Sequence, residues 1–302
     1  MTHFEADAAP CRSTGGIISL RVEPREKDLG DFSVRRVLPA TEQRSVGPFV
    51  FFDHMGPAVF PPGRSIDVRP HPHIGIATIT YLFEGEILHR DSLGVVQPVR
   101  PGEVNLMTAG RGIVHSERPG EDVDRESYLH GIQSWIALPE DAEEMAPAFA
   151  HYSKADLPEW HSNGATLRLI MGELEDYRSP VTTYSRTLYA DIFLSADSQL
   201  SLHPEEQELA LYVAEGLVQI GDETIGAGVM AIIANPAALE ISAHEDSRVL
   251  LIGGSPLGRR YLYWNFVSTR PERIDSAKTA WRENRFPEVP DDPERIPLPG
   301  DD

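Results

Sequence analysis

The feature that most constrains this chain is a repeated rhythm of short alternating or β-branched runs, each closed by turn residues. In the first half these runs are GIISLRV (16–22), FSVRRVL (32–38), PFVFFDHM (48–55), IGIATITYLF (74–83), VVQPV (95–99), GIVHSE (112–117) and GIQSWIAL (131–138). Alternation turns one face of a strand apolar, and many short strands joined by turns favour a sandwich or barrel over a parallel α/β sheet. Within ITYLFEGEILHR two strand-like runs flank Glu84-Gly85, which reads as a hairpin. The rhythm breaks in PEDAEEMAPAFAHYSKADLPEW (139–160), an acidic, proline-containing connection with room for one short helix. It resumes in ATLRLIMGEL (165–174), RTLYADIFL (186–194), QLSLHP (199–204), ELALYVAEG (208–216), VMAIIA (229–234) and SRVLLIGG (247–254). Near the end, Ile274, Ala277 and Trp281 recur at helical spacing after Pro271, which predicts a short C-terminal helix. A proline-rich acidic tail, PEVPDDPERIPLPGDD, is expected to lie extended over a surface.

The 302 residues suffice for two ordinary domains, each with its own core. No run approaches the roughly 18 apolar residues of a membrane span. The opening MTHFEADAAPCRSTGG lacks the basic start and apolar stretch of a secretory signal and reads as a flexible leader over 1–15. Cys11 is the only cysteine, so no internal disulfide can form, which fits a reducing, cytoplasmic setting. The net charge of −20 repels phosphate backbones and anionic membranes, arguing against direct nucleic-acid or membrane binding.

The two halves echo each other. Tyr81-Leu-Phe-Glu84-Gly85 returns as Tyr212-Val-Ala-Glu215-Gly216, and Pro101-Gly102 returns as Ala227-Gly228. Strand, glycine, return strand and second turn glycine follow in the same order, so two similar barrels are expected.

His71 and His73 stand at i and i+2 where a strand begins, so both imidazoles reach toward one point. Neutral imidazole is a ligand for iron, zinc, copper and nickel. With 11 histidines in the chain, chance supplies roughly 0.4 such pairs, so this pair alone says little. His115 and Glu117 repeat the spacing on a second strand-like segment, just after Gly110 and Gly112. Two strand-borne pairs meeting inside one barrel supply three imidazoles and a carboxylate, leaving two positions open on an octahedral ion.

FFDHMGP (51–57), HPHIGIATITYLFEG (71–85), MTAGRGIVHSE (107–117) and YWNFVS (263–268) resemble the pirins, a family of the cupin superfamily. The resemblance runs over nearly the whole chain beyond the leader. It implies an all-β protein of two packed double-stranded β-barrel (cupin, jelly-roll) domains with a short C-terminal helix and extended tail. The metal-binding domain is then expected over 16–145 and a metal-free one over 146–302. The resemblance places the ligands of one divalent metal on His71, His73, His115 and Glu117: Fe(II) foremost, with Mn, Co, Ni, Cu or Zn as alternatives. The common cupin pattern has its glutamate four or five residues after the second histidine. Ala77 and Thr78 occupy those positions here, so the carboxylate falls to Glu117, as in pirins. In the second half one histidine, His203, stands near the place of the His71/His73 pair, and His244 does not align cleanly with His115, so no second metal is expected.

The resemblance implies quercetin 2,3-dioxygenase-type cleavage of a flavonol or a related enol or phenol by O2, with Glu117 as the catalytic base. Its alternative is a non-enzymatic, iron-containing redox sensor that binds a protein partner. Among other residues, His54 is either a neighbour of the metal pocket or, with Asp53, a turn-fixing group. Phe51, Phe52, Met55, Phe83 and Met107 read as core, or some of them as an apolar wall for an aromatic ligand; Trp135 and Trp264 read as packing, and Arg111 as a solvated loop residue or an attractor of an anionic substrate.

Overall fold

A computed structural model describes residues 16–28, 32–121, 123–235 and 238–301. Cys11 and the leader lie outside the described residues. The alternating runs become strands, and these form two jelly-roll units built on one plan. In the first unit the large sheet has the order Ala148–Tyr152, Val104–Thr108, Ile76–Gly85, Ser127–Ala137, Phe49–Phe60, Ser33–Leu38, Arg25–Asp28. In the second it has the order Ile18–Val22, Met230–Ile233, Glu208–Glu215, Ser247–Gly254, Thr187–Leu194, Ala165–Met171, Glu159–Ser162. A four-stranded sheet faces each: Val68–His73, Ile113–Arg118, Ile87–Asp91, Val96–Val99 in the first, and Gln199–Leu202, Leu239–Ala243, Leu217–Ile220, Glu223–Gly226 in the second. All the strand pairs that build these sheets are antiparallel, and each unit is two facing sheets rather than a closed barrel.

The echoed glycines do not make hairpins. Ile76–Gly85 and Ile87–Asp91 belong to different sheets, and so do Glu208–Glu215 and Leu217–Ile220. Gly85 and Gly216 are corners where the chain crosses from one sheet to the other, at φ of 91° and 81°. A Cβ on Gly85 would lie 2.0 Å from the Tyr128 carbonyl oxygen, so only glycine passes there. A hairpin turn and a sheet-to-sheet corner ask the same φ of the chain, which is why the sequence signal fits both.

The two large sheets pack face to face, and the molecule's largest core lies between them. Phe52, Ile79, Tyr81 and Ile132 from the first unit meet Tyr189, Tyr212, Leu250 and Ile252 from the second. The interior of the second unit is a separate aliphatic cluster that includes Leu167, Ile192, Leu211 and Val249. Its small sheet carries Leu200, Leu202, Leu239 and Ile241, all buried, where the first unit's small sheet carries histidines.

The units exchange strands across the expected 145/146 division. Ile18–Val22, which precedes the first unit, is the edge strand of the second unit's sheet; Ala148–Tyr152, which precedes the second, is the edge strand of the first unit's. Each arm caps an edge that would otherwise present unpaired backbone groups. The C-terminal segment also returns. The helix Pro271–Arg282 buries Ile274, Ala277 and Trp281 in a cluster with Ile74 and Val114 of the first unit. Among the described residues it is the only α-helix, and none is long and apolar enough to cross a membrane. The tail is anchored too: Ile296 N–H donates to the Pro70 carbonyl at 2.9 Å, and Ser116 Oγ to Asp292 at 2.7 Å.

Candidate metal centre

Val68–His73 and Ile113–Arg118 run antiparallel, with His115 directly opposite His71. His71 and His73 share a face because they are two residues apart on a strand. The same holds for His115 and Glu117, although a bulge shifts the register between them. The three imidazoles converge, with ring centroids 4.4 Å (His71–His115), 4.9 Å (His73–His115) and 5.1 Å (His71–His73) apart. One nitrogen from each lies within 4.8 Å of the others. The Glu117 carboxylate joins them, 3.9 Å from His71 Nε2 and 3.5 Å from His115 Nδ1.

Burial sets the charge state. Desolvation lowers His71 to about 4 and holds His73 and His115 well below the ordinary histidine value, with neighbouring imidazoles adding to the effect. All three are therefore neutral at pH 7, the form that binds metal. Desolvation raises Glu117 to about 8. His71 Nδ1–H donates to the Arg69 carbonyl at 2.9 Å, which leaves Nε2 facing the site with its lone pair free.

The donor set fits a divalent ion. His73 Nδ1, both ring nitrogens of His115 and Glu117 Oε2 are buried without a hydrogen-bond partner. Each such atom costs about 1–3 kcal/mol when left unpaired, and folds rarely gather several in one place without a ligand for them. This buried triad could hold a metal.

The centre opens on a cleft of about 600 Å³ counted out to its mouth. One wall is aromatic: Phe51 stacks on Trp135 at 3.9 Å and 10°, and the Trp135 ring stands edge-on to His73 at 5.1 Å. Arg36 lies 4.5 Å over the outer face of Phe51 and grips Asp53 in a fork of 2.9 and 2.8 Å. Burial raises the Asp53 carboxyl while Arg36 pulls it down. Gln133 is held by the Thr80 hydroxyl at 2.7 Å.

The pirin sequence profile matches residues 31–136, and that of the pirin C-terminal cupin domain matches 189–287. The chain belongs to the pirin family. A pirin-like protein of Caulobacter vibrioides is 46% identical over 94% of this chain and 100% of its own length. Mouse pirin is 30% identical over 86% of this chain and 90% of its own. Among solved structures, a quercetin 2,3-dioxygenase from Acinetobacter baumannii superposes with a TM-score of 0.86 at 35% identity, covering 92% of this chain and 93% of that one.

Within this pirin the four residues singled out by their spacing come together. His54 does not join them. On the strand Phe49–Phe60, alternation sends Phe51, Asp53 and Met55 into the cleft, while His54 faces the other unit. There it contacts Tyr212 Oη at 2.7 Å and His130 Nε2 at 2.7 Å, so it neither lines the cleft nor fixes a turn. Arg111 is exposed. Trp135 and Phe51 are walls of the cleft as well as packing groups, and Asp53, Arg36 and Gln133 are polar lining the spacing did not reveal. His89 was also missed. It lies opposite Glu117, with its ring 5.3 Å from His115 and stacked on Phe149, and its Nε2 meets Asp91 at 3.1 Å. His89 and Asp91 repeat the i, i+2 spacing of the other two pairs, which was the available signal.

Proposed function

We propose that the protein is a metal-dependent dioxygenase that cleaves the ring of a flavonol, or a related enol or phenol, with O2. The observation that carries this reading is the convergence of three neutral imidazoles and Glu117, with unpartnered buried atoms, on an aromatic-walled cleft. The quercetin 2,3-dioxygenase likeness supports the substrate class. His71, His73, His115 and Glu117 would hold one divalent ion: Fe(II) foremost, with Mn, Co, Ni, Cu or Zn as alternatives. When bound, that ion supplies Lewis acidity to a substrate hydroxyl and a meeting place for substrate and dioxygen.

The chain's own residues do the rest. Phe51 and Trp135 give the cleft an apolar aromatic wall against which a planar ring can lie. Glu117 Oε2 takes the proton of the acidified hydroxyl, and the same burial that raises its pKa keeps the proton there once transferred. His71 stays fixed throughout by its bond to the Arg69 carbonyl. Arg36, Asp53 and Gln133 also line the cleft and offer polar groups to the hydroxyls of such a substrate.

Elemental analysis of the purified protein should find close to one metal per chain. Oxygen-electrode assays with a flavonol panel should show O2 uptake after anaerobic Fe(II) loading. His73→Ala should lose both metal and uptake. Glu117→Gln should retain metal while turnover falls by about a hundredfold. A protein that takes up no metal, and gains no thermal stability from Fe(II), rejects the centre. Stoichiometric metal without O2 uptake on flavonols or smaller enediols rejects the enzyme and leaves the iron-containing regulator with a protein partner.

A further inference from the structure

A second cavity, of about 950 Å³ counted out to its mouth, lies between the first unit's 39–48 loop and the returning 257–267 segment, and shares no lining residue with the metal cleft. Its floor is Val50, Ala137 and Val267, flanked by Leu257 and Leu262. Arg25, Arg44 and Arg260 also line it, and no aspartate or glutamate does. That is unexpected in a chain with 47 acidic residues against 27 lysines and arginines. Arg260 is built into the wall: its guanidinium donates to the Leu257 carbonyl at 2.7 Å and to the Leu138 carbonyl at 3.0 Å, and it pairs with Glu143 at 3.3 Å. Arg25 donates to the Pro39 carbonyl, which holds its head at the rim.

We propose that this cavity binds a small amphipathic carboxylate, its apolar body on the Val50–Ala137–Val267 floor and its carboxylate at Arg25 and Arg44. Small-molecule sites combine mainly apolar walls with a few placed polar groups, and this cavity has that lining. Guanidinium forks match a carboxylate, and the floor sets the requirement for a long or aromatic apolar body. The floor is part of one packed cluster with Phe51 and Trp135, the wall of the metal cleft, so an occupant here adjoins the active centre through side chains already in contact. The site itself needs no metal.

The test is calorimetric titration of the full chain with decanoate, alongside decanol. Decanoate should bind saturably at one per chain, and decanol about tenfold more weakly. Arg25→Glu and Arg44→Glu should each weaken decanoate about tenfold, and Leu257→Trp, which fills the cavity from its rim, should abolish binding. Affinity should be the same before and after chelator treatment. Absence of decanoate binding, equal affinity for decanol, or indifference to all three substitutions would overturn the proposal. Loss of binding on chelation would place the ligand in the metal cleft and overturn it equally. The alcohol comparison needs only the unaltered protein, so it decides even where a variant folds poorly.

Discussion

Glu117 is buried beside three imidazoles, and burial holds its carboxyl proton up to about pH 8, against 4.5 for a free glutamate. The metal-free protein thus keeps a proton that the unfolded chain has lost between those values. Its stability falls as pH rises through that window and is level above it. A metal must displace this proton, so affinity should climb about tenfold per pH unit up to 8 and then flatten. His71 is already neutral above about 4, and His73 and His115 sit lower than the ordinary value for the same reason, so the slope belongs to Glu117. Calorimetry in buffers of different ionisation enthalpy should count about one proton released per metal at pH 7 and almost none at pH 9. Glu117→Gln should release none at either. At this scale the sequence was most readable: i, i+2 spacing on a strand is local geometry, so the pairs His71/His73 and His115/Glu117 stood out, and the family resemblance joined them into one candidate set. Arg36 and Asp53 did not stand out, because their meeting depends on the pairing of two strands, Ser33–Leu38 with Phe49–Phe60.

The strand that carries His71 and His73 is held in place from behind by the returning C-terminal segment. Ile74 bridges to Phe266, and the Val267 N–H donates to the Ile74 carbonyl at 3.3 Å. Gly75, at φ 70°, passes so close that a Cβ there would stand 2.0 Å from the Val267 carbonyl oxygen. Gly75→Ala should therefore cost more than about 3 kcal/mol in urea unfolding, combining left-handed strain with a backbone clash, and should lower metal content. Gly63 has a similar φ of 82° but open space around it. Gly63→Ala should cost only the conformational strain, about 1 kcal/mol, and leave metal content unchanged. Equal losses at the two positions would show that the clash with Val267 does not buttress the metal strand. Alternation and turn residues made most strands legible, since both are properties of neighbouring residues. What each strand pairs with was not legible: Glu84-Gly85 looks the same whether the next strand folds back or crosses to the other sheet.

Across the whole molecule, the contacts that join the units were the least readable, because they link residues far apart in the chain. Tyr81 Oη donates to Asp191 at 2.7 Å, and Arg248 forks onto the same carboxylate at 3.0 and 3.2 Å. Beside them His54, His130 and Tyr212 form a buried chain that ends at Glu215, 3.3 Å from His130 Nδ1. Arg35 donates to His54 Nε2 at 3.3 Å, so that nitrogen is an acceptor; His130 Nε2–H can donate to it as well, and His54 Nδ1–H to Tyr212 Oη, with both rings neutral. Burial enforces neutrality, lowering His54 to about 2 and His130 to about 4, with Arg35 acting on both rings and Arg248 on His130. In an unfolded chain His54 protonates near 6.5, so its contribution to stability is complete above that pH and is lost progressively as pH falls toward 2. This one residue should impose a slope of about 1.4 kcal/mol per pH unit below 6. His54→Gln keeps a polar group of similar reach but does not titrate. Urea unfolding at pH 7.5 should show it less stable than the parent, because the Tyr212–His130 link is broken. Between pH 6 and 4.5 the two stability curves should converge, the variant's being shallower by one proton's worth. Parallel curves would mean that His54 titrates in the folded protein as it does in the unfolded one, and that the junction between the units is not the acid-sensitive seam its burial implies.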